Sequence, residues 1–186
     1  MNKSNLSGNI GHTSNKRISV SDCCISAVFA ALVFIATLFI NVRLPISMNG
    51  GLIHLGNVPL FIAAIVFGKK QGALAGAIGM GLFDILGGWI IWAPFTVVIR
   101  GVMGYIIGAI SEKRAGKNVL LNTLAIVVAG IWMIAGYYTA EVILYHNFVT
   151  PFTSMPGDVI QVIVGAILGI PISAILIKTN ACKVWH

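Results

Sequence analysis

Long apolar runs separated by short polar loops fill the chain from residue 21 onward. They predict six helical segments, at residues 21–41, 56–68, 72–89, 94–110, 119–145 and 156–177. Most of them approach the roughly 20 residues that a membrane-crossing helix needs. The second is short for a span, which predicts a tilted or broken helix. The pattern therefore predicts an all-α fold, a single transmembrane bundle of six helices at residues 21–186 that follows a polar segment at residues 1–20.

The composition supports a membrane protein. Hydrophobic residues make up 58% of the chain and charged residues only 9%, whereas soluble domains average roughly 25% charged residues. The net charge of +7 comes from basic residues scattered through short loops. This scatter is typical of residues that set membrane topology, and it argues against a nucleic-acid partner.

The loop charges predict the orientation. Lysine and arginine are concentrated before the first helix, between the second and third, between the fourth and fifth, and after the sixth, whereas the opposite loops hold only Arg43. Both termini are therefore expected to be cytoplasmic. The first segment is expected to be a retained helix rather than a signal peptide, and Cys23, Cys24 and Cys182 are expected to be reduced thiols.

Two charged side chains fall inside the apolar segments. At about 1.5 Å of rise per residue, Asp84 lies about 18 Å from the inner end of the third segment and Arg100 roughly 9 Å from the outer end of the fourth. The two residues are thus at comparable heights on consecutive helices. A charge at membrane depth is costly and points to function. A buried ion pair and contact with a ligand are equally good explanations of these two residues.

Other polar and aromatic residues collect at the same predicted outer end, and we predict that they line a substrate site together with Asp84 and Arg100. They are His54, Asn57, Trp89, Tyr138, Glu141 and Gln161. Structural alternatives are helix capping for Asn57 and placement in the membrane-interface belt for Trp89. The inner halves of the segments are almost purely apolar. This distribution favours a pocket open to the outside over a channel, which would need a polar lining through its full depth.

Two functions of other classes compete with ligand capture. An intramembrane enzyme would use Asp84 and Glu141 as an acid/base pair, but no nucleophile accompanies them. A scaffold without a ligand is the other alternative. The sequence shows no catalytic triad, Walker A motif or metal-ligand cluster, so neither a cofactor nor a metal is predicted, and energy for transport would have to come from other proteins.

Small residues recur at every fourth position in four of the predicted helices. For the third, fourth and sixth helices, packing within the bundle is the favoured explanation. The first helix differs, since Ala27 and Ala31 follow Cys23 on one stripe near its cytoplasmic end, where a separate chain has room to dock.

Several motifs resemble those of the substrate-binding S component of energy-coupling factor (ECF) vitamin transporters. They are His54-Leu-Gly-Asn57, Phe67-Gly-Lys-Lys-Gln-Gly-Ala-Leu-Ala-Gly-Ala-Ile-Gly79, Phe83-Asp-Ile-Leu-Gly-Gly88, Ala93-Pro-Phe-Thr96 and Ile99-Arg-Gly-Val-Met-Gly104. The detailed match covers about a third of the chain. Relatives frequently have an acid where this chain has Asn57 and a lysine where it has Arg100.

The resemblance implies a six-helix bundle in the bacterial plasma membrane, with a vitamin pocket near the outer surface that the loop between the first two helices gates. It also implies partners, namely one transmembrane T component and two cytoplasmic ATPases, with Ala27 and Ala31 matching the docking motif. Hydroxymethylpyrimidine, pyridoxine and riboflavin importers are the nearest substrate groups, and the first two are favoured.

Overall fold

The computed structural model describes residues 19–43 and 52–179. Its helices are α1 (Val20–Phe39), α2 (Asn57–Ile62), α3 (Lys69–Leu86), α4 (Ala93–Ser111), α5 (Val119–Tyr145) and α6 (Met155–Lys178). Between α1 and α2 lie β1 (Asn41–Arg43) and β2 (Leu52–His54), which pair in antiparallel register. A π-helical segment (Ala63–Phe67) continues α2, and short 3₁₀ turns follow α4 and precede α6.

The predicted all-α membrane bundle is confirmed, but the number of helices suited to crossing a membrane is smaller than predicted. Within residues 19–43 and 52–179, four helices are long and apolar enough, namely α1, α4 with its 3₁₀ extension, α5 and α6. The second helix is short, spanning Asn57–Phe67 with its π-helical end. Helix α3 includes Lys69, Lys70 and Asp84 within its 18 residues. Both are nevertheless part of the bundle, because α2 is almost wholly buried and α3 packs against α1 and α4.

The observed helix boundaries agree with the sequence-based prediction in some places and differ from it in others. Helix α5 has its predicted bounds, whereas α3 begins three residues earlier than predicted, because one glycine separates it from the π-helical end of α2. Gly68 has φ +100°, a conformation that glycine adopts without a steric penalty. Glu112 then caps α3, since its Oε1 accepts the Lys69 backbone N–H at 2.9 Å and its Oε2 lies 3.1 Å from Lys69 Nζ. The β-hairpin was not predicted.

Helices α3 and α4 approach closely through glycines. A Cβ atom added at Gly104 would overlap the Gly72 carbonyl, and one added at Gly76 would lie 2.6 Å from the Arg100 carbonyl oxygen. On α6, Gly165 packs in the same way against Asn57 of α2. The prediction that the small residues of these helices serve packing within the bundle is confirmed.

Helix α1 uses one face for the bundle and leaves another uncovered. Its buried residues are Ser26, Ala30, Val33 and Thr37. Ala27 and Ala31 each follow a buried residue by one position, which is about 100° around the helix, and both are exposed. The stripe therefore lies outside the bundle packing.

Candidate ligand-binding site

A cavity opens at one end of the bundle, where α3 ends, α4 begins, α5 ends and α6 begins. Its cavity volume is about 100 Å³, and the total empty space between its walls, open solvent included, is about 670 Å³. Aromatic, acidic and amide side chains share its walls. The lining residues are His54, Met80, Phe83, Asp84, Trp89, Trp92, Thr96, Arg100, Tyr137, Glu141, Ser154, Gly157, Asp158 and Gln161.

Arg100 is the polar centre of this cavity. Its side chain is 1% exposed, and its guanidinium donates to neutral acceptors from three other helices. Nε–H donates to the Tyr137 hydroxyl at 3.0 Å, Nη1 donates to Asn57 Oδ1, and Nη2 donates to Gln161 Oε1 at 3.2 Å. The guanidinium carbon also lies 5.2 Å from the centre of the Tyr137 ring, within cation–π range. Arg100 therefore ties α2, α4, α5 and α6 together.

His54 lies beside this guanidinium at the end of β2. The Gly56 backbone N–H donates to His54 Nδ1 at 3.1 Å, so the hydrogen of the neutral ring is on Nε2. Burial first, and the Arg100 charge second, lower the pKa of His54 well below its ordinary value, which keeps the ring neutral at pH 7. Since Arg100 Nη2 lies 3.5 Å from Nε2, two N–H groups face each other, and an acceptor placed near both would satisfy them.

Asp84 faces the cavity from the end of α3 and is 7% exposed. The Thr96 side chain, which also lines the cavity, interacts with its carboxyl group. Within the described residues, Asp84 Oδ2 has no hydrogen-bond partner, and Asp84 makes no ion pair with Arg100. A buried carboxylate oxygen left in this condition is costly unless a donor from outside the chain satisfies it.

Aromatic residues form the wall next to the mouth. The Trp92 ring lies 6.4 Å from the Tyr137 ring and 6.2 Å from the Tyr145 ring, both tilted. Trp89 adds a further aromatic surface to the lining. Aromatic faces of this kind suit stacking with a flat ring.

Acids and amides of α5 and α6 complete the lining of the cavity. Glu141 is 4% exposed and Gln161 is 4% exposed. Asp158, one turn before Gln161, also lines the cavity, and Gln161 Nε2 donates to its Oδ1 at 3.5 Å. The cavity is thus lined by three carboxyl groups and one guanidinium.

The structure brings most of the sequence-predicted site residues together. His54, Asp84, Trp89, Arg100, Glu141 and Gln161 line the cavity, and Asn57 lies behind it on Arg100. Tyr138 does not line it, because its hydroxyl donates to the Phe148 carbonyl at 3.1 Å and its ring packs on Phe152. The neighbouring Tyr137 takes that place.

Sequence reasoning left several lining residues out of the predicted site, among them Trp92, Thr96, Tyr137 and Asp158. One signal was available for Tyr137. It continues a line of buried positions on α5 that runs through Ala129 and Met133 at four-residue spacing, the spacing of one helix face. The predicted gating loop lies largely within residues 44–51, and the chain termini within residues 1–18 and 180–186. These three segments lie outside the described residues.

This architecture defines a class, a helical membrane protein with a small polar and aromatic cavity at one end of its bundle. Comparison of sequences gives the family. Residues 17–178 match the family described as ECF-type riboflavin transporter, S component, and the chain belongs to that family. The resemblance seen in the motifs is confirmed. Since the family is one of transporter components, the chain is not an enzyme, and the acid/base interpretation of Asp84 and Glu141 is set aside.

Two relatives span most of the chain. A Pyrococcus woesei protein, described as an uncharacterized protein in the gap 3′ region, is 34% identical over 139 residues, which cover 74% of this chain and 90% of the relative. The thiamine precursor transporter HmpT of Lactococcus lactis subsp. cremoris is 27% identical over 154 residues, which cover 83% of this chain and 86% of the relative.

Proposed function

We propose that this chain captures a water-soluble, single-ring vitamin or vitamin precursor for import, with hydroxymethylpyrimidine or pyridoxine favoured. The cavity carries the proposal. Its cavity volume of about 100 Å³ is on the scale of a site for one small ring and lies below the roughly 300–1,000 Å³ typical of pockets for drug-sized ligands. Stacking surfaces at Trp89, Trp92 and Tyr137 and polar groups at Asp84 and His54 suit an aromatic ring with amino or hydroxymethyl substituents.

Similarity to the thiamine precursor transporter supports the same ligand group. Riboflavin is the second candidate, because the family description names it. A three-ring isoalloxazine exceeds the cavity volume of about 100 Å³ and would have to extend towards the solvent. Ligand size therefore separates the two candidates.

Transport would require partners, which we take to be a transmembrane T component and two cytoplasmic ATPases. The exposed small-residue stripe of Ala27 and Ala31 on α1 is the proposed docking surface, since small residues let helices approach closely in lipid. The proposed location is the bacterial plasma membrane, with the cavity facing outward. The basic residues Lys69, Lys70 and Lys178 lie at the opposite end of the bundle, which the positive-inside rule places in the cytoplasm.

The test uses the intact protein in mild detergent. Mass spectrometry of small molecules that copurify would identify the natural ligand. Calorimetric titration of ligand-free protein with 4-amino-5-hydroxymethyl-2-methylpyrimidine, pyridoxine and riboflavin would then rank the candidates. We expect one single-ring probe to bind at least about 100-fold more tightly than riboflavin, a difference of about 2.7 kcal/mol. Tighter binding of riboflavin would favour the second candidate, and a folded protein with no ligand at all would favour the scaffold alternative.

A further inference from the structure

We infer that the cavity selects an uncharged or cationic ligand that donates an N–H group to Asp84, and that it rejects the phosphorylated form of the same ligand. The inference rests on the proposed function and narrows it to a charge state and a hydrogen-bonding pattern. It concerns which form of a vitamin precursor the cell can take up.

Asp84 supplies the first observation. Its side chain lines the cavity and is 7% exposed. Its Oδ2 has no hydrogen-bond partner among the described residues. A carboxylate oxygen accepts hydrogen bonds and donates none, so the ligand group that completes this site is a donor. An amino group or a protonated ring nitrogen meets that requirement, whereas a phosphate oxygen does not.

Arg100 supplies the second observation. A buried arginine in a ligand cavity would ordinarily indicate recognition of phosphate or carboxylate. Here the guanidinium is directed at the cavity's own neutral acceptors, Tyr137, Asn57 and Gln161. One Nη2 N–H, the one near His54, is left for a ligand acceptor, but a bidentate contact between an anion and Arg100 would require displacing these side chains. Arg100 is therefore mainly a positioning residue, and the described part of the cavity holds no guanidinium free to clamp a phosphate through two N–H groups.

The remaining charges act in the same direction. Besides Asp84, the carboxyl groups of Glu141 and Asp158 line the cavity. A phosphate ester would be brought close to these carboxyl groups, and an ionised carboxylate at short range repels a phosphate. A neutral or cationic ring meets no such repulsion.

His54 indicates a second contact with the ligand, at which the ligand accepts a hydrogen bond. With the ring hydrogen on Nε2, this N–H and the nearby Arg100 Nη2 group share a space in which an acceptor fits. A hydroxymethyl oxygen or an unprotonated ring nitrogen would accept there, while an amino group elsewhere on the ring donates to Asp84. The ligand therefore carries a donor and an acceptor on separate parts of one small ring.

The experiment compares each probe with its own phosphate monoester. Wild-type protein in detergent is titrated with the aminopyrimidine alcohol, pyridoxine and riboflavin, and with the monophosphate of each. We expect every phosphate to bind at least about 100-fold more weakly than its parent. Asp84→Asn, which keeps the shape of the side chain, should lower the affinity for the aminopyrimidine by at least about 10-fold, as expected when a hydrogen bond to a charged group is lost. Glu112→Gln, an acid-to-amide change at the opposite end of the bundle, should leave the affinity unchanged.

The outcomes separate this inference from the proposed function. Equal or tighter binding of the phosphates overturns the charge selection even if a single-ring ligand is confirmed. Unchanged aminopyrimidine binding by Asp84→Asn overturns the role of Asp84. Preferred binding of riboflavin contradicts the single-ring proposal, while comparison of riboflavin with its phosphate still tests the charge selection. The wild-type comparison does not depend on whether any variant folds, and no binding of any probe contradicts both proposals.

Discussion

Arg100 and Asp84 are connected through two hydroxyl groups rather than by an ion pair. Arg100 Nε–H donates to the Tyr137 hydroxyl at 3.0 Å, Tyr137 donates to Thr96 Oγ1 at 3.4 Å, and the Thr96 side chain interacts with the Asp84 carboxyl group. Each hydroxyl can accept on one side and donate on the other. The relay fixes both charged side chains and leaves Asp84 Oδ2 for the ligand.

Removing one hydroxyl from this relay should weaken ligand binding without unfolding the protein. Tyr137→Phe retains the ring against Trp92 and Arg100 but deprives Arg100 of an acceptor and Thr96 of a donor. We expect a loss of affinity of about 10-fold, because one hydrogen bond to a charged group is lost. Titration calorimetry measures it, and Tyr138→Phe is the matched control because Tyr138 bonds a loop carbonyl outside the cavity. Equal effects of the two substitutions would contradict the relay.

Replacing Arg100 should lower stability as well as affinity. Arg100→Lys keeps the charge but cannot reach Tyr137, Asn57 and Gln161 together, since a lysine carries a single nitrogen. We expect the free energy of unfolding to fall by about 2–4 kcal/mol, because buried acceptors lose their donors. Thermal unfolding in detergent without ligand measures this change. Asp84→Asn should change the unfolding temperature far less, and a reversed order would show that Asp84 is the structural residue of the two.

The glycine contact between α3 and α4 gives a matched pair of substitutions. Gly104→Ala places a methyl group against the Gly72 backbone, and we expect a loss of about 1–3 kcal/mol in the free energy of unfolding. At Gly101 a Cβ atom would lie 3.3 Å from Ala77 Cβ, so Gly101→Ala should be neutral or slightly stabilising, since alanine favours helix by about 1 kcal/mol over glycine. Thermal unfolding compares the two, and similar values for both would contradict the close approach at Gly104.

Binding and uptake should separate on helix α1. Ala27→Trp and Ala31→Trp add bulk to an exposed stripe, so we expect near-normal ligand affinity in the isolated protein. Both should fail to pull down the T component and should abolish uptake in cells, because an indole would hold a partner helix away.

Two further tryptophan substitutions on α1 serve as controls for that experiment. Val28→Trp alters a 57% exposed position beside the stripe and should preserve assembly, whereas Ala30→Trp alters a 4% exposed position and should damage the bundle itself. If the Ala27 and Ala31 variants behave like Ala30→Trp, the stripe packs inside the bundle and the docking proposal is wrong.

Thiol labelling tests the proposed orientation. After the native cysteines are replaced by serine, single cysteines at Ile91 and Phe152 should react with an impermeant reagent added outside intact cells, because these positions are exposed at the cavity end. Cysteines at Lys70 and Lys117, exposed at the opposite end, should react only after permeabilisation. Gly116 is a poor choice for the inner probe, since its φ of +68° disfavours any side chain. The reverse labelling pattern would invert the bundle.

Long apolar runs predicted the helices of this fold better than the sequence predicted its short turns and strands. The bounds of α5 followed from a long apolar run, and in the structure the Asn118 side chain caps the helix by accepting the Leu121 N–H. The β-hairpin could not be predicted from two strands of three residues each, because such strands are too short for a periodic signal. The early start of α3 depends on Glu112, which is far away in the sequence.

Part of the site could be predicted, because charged residues within apolar segments are easily recognised in a sequence. Asp84 and Arg100 stood out for that reason, and both line the cavity. Whether Asp84 and Arg100 form an ion pair did not follow from the sequence, because that depends on the hydroxyl groups of Tyr137 and Thr96, which come from different helices. The choice between Tyr137 and Tyr138 also depended on packing, since both lie within helical spacing of Glu141.

Mutations at the glycine contacts between α3 and α4 should reduce uptake even though these contacts lie away from the cavity. The separation of these helices at Gly72, Gly76 and Gly104 sets where Asp84 and Thr96 stand relative to each other, although no glycine here can touch a ligand. A random mutagenesis screen for lost uptake should therefore yield alleles at these glycines alongside alleles in the cavity. Suppressors of such alleles should be rare, because an added Cβ atom at each of these glycines meets backbone atoms of the facing helix, which no substitution removes.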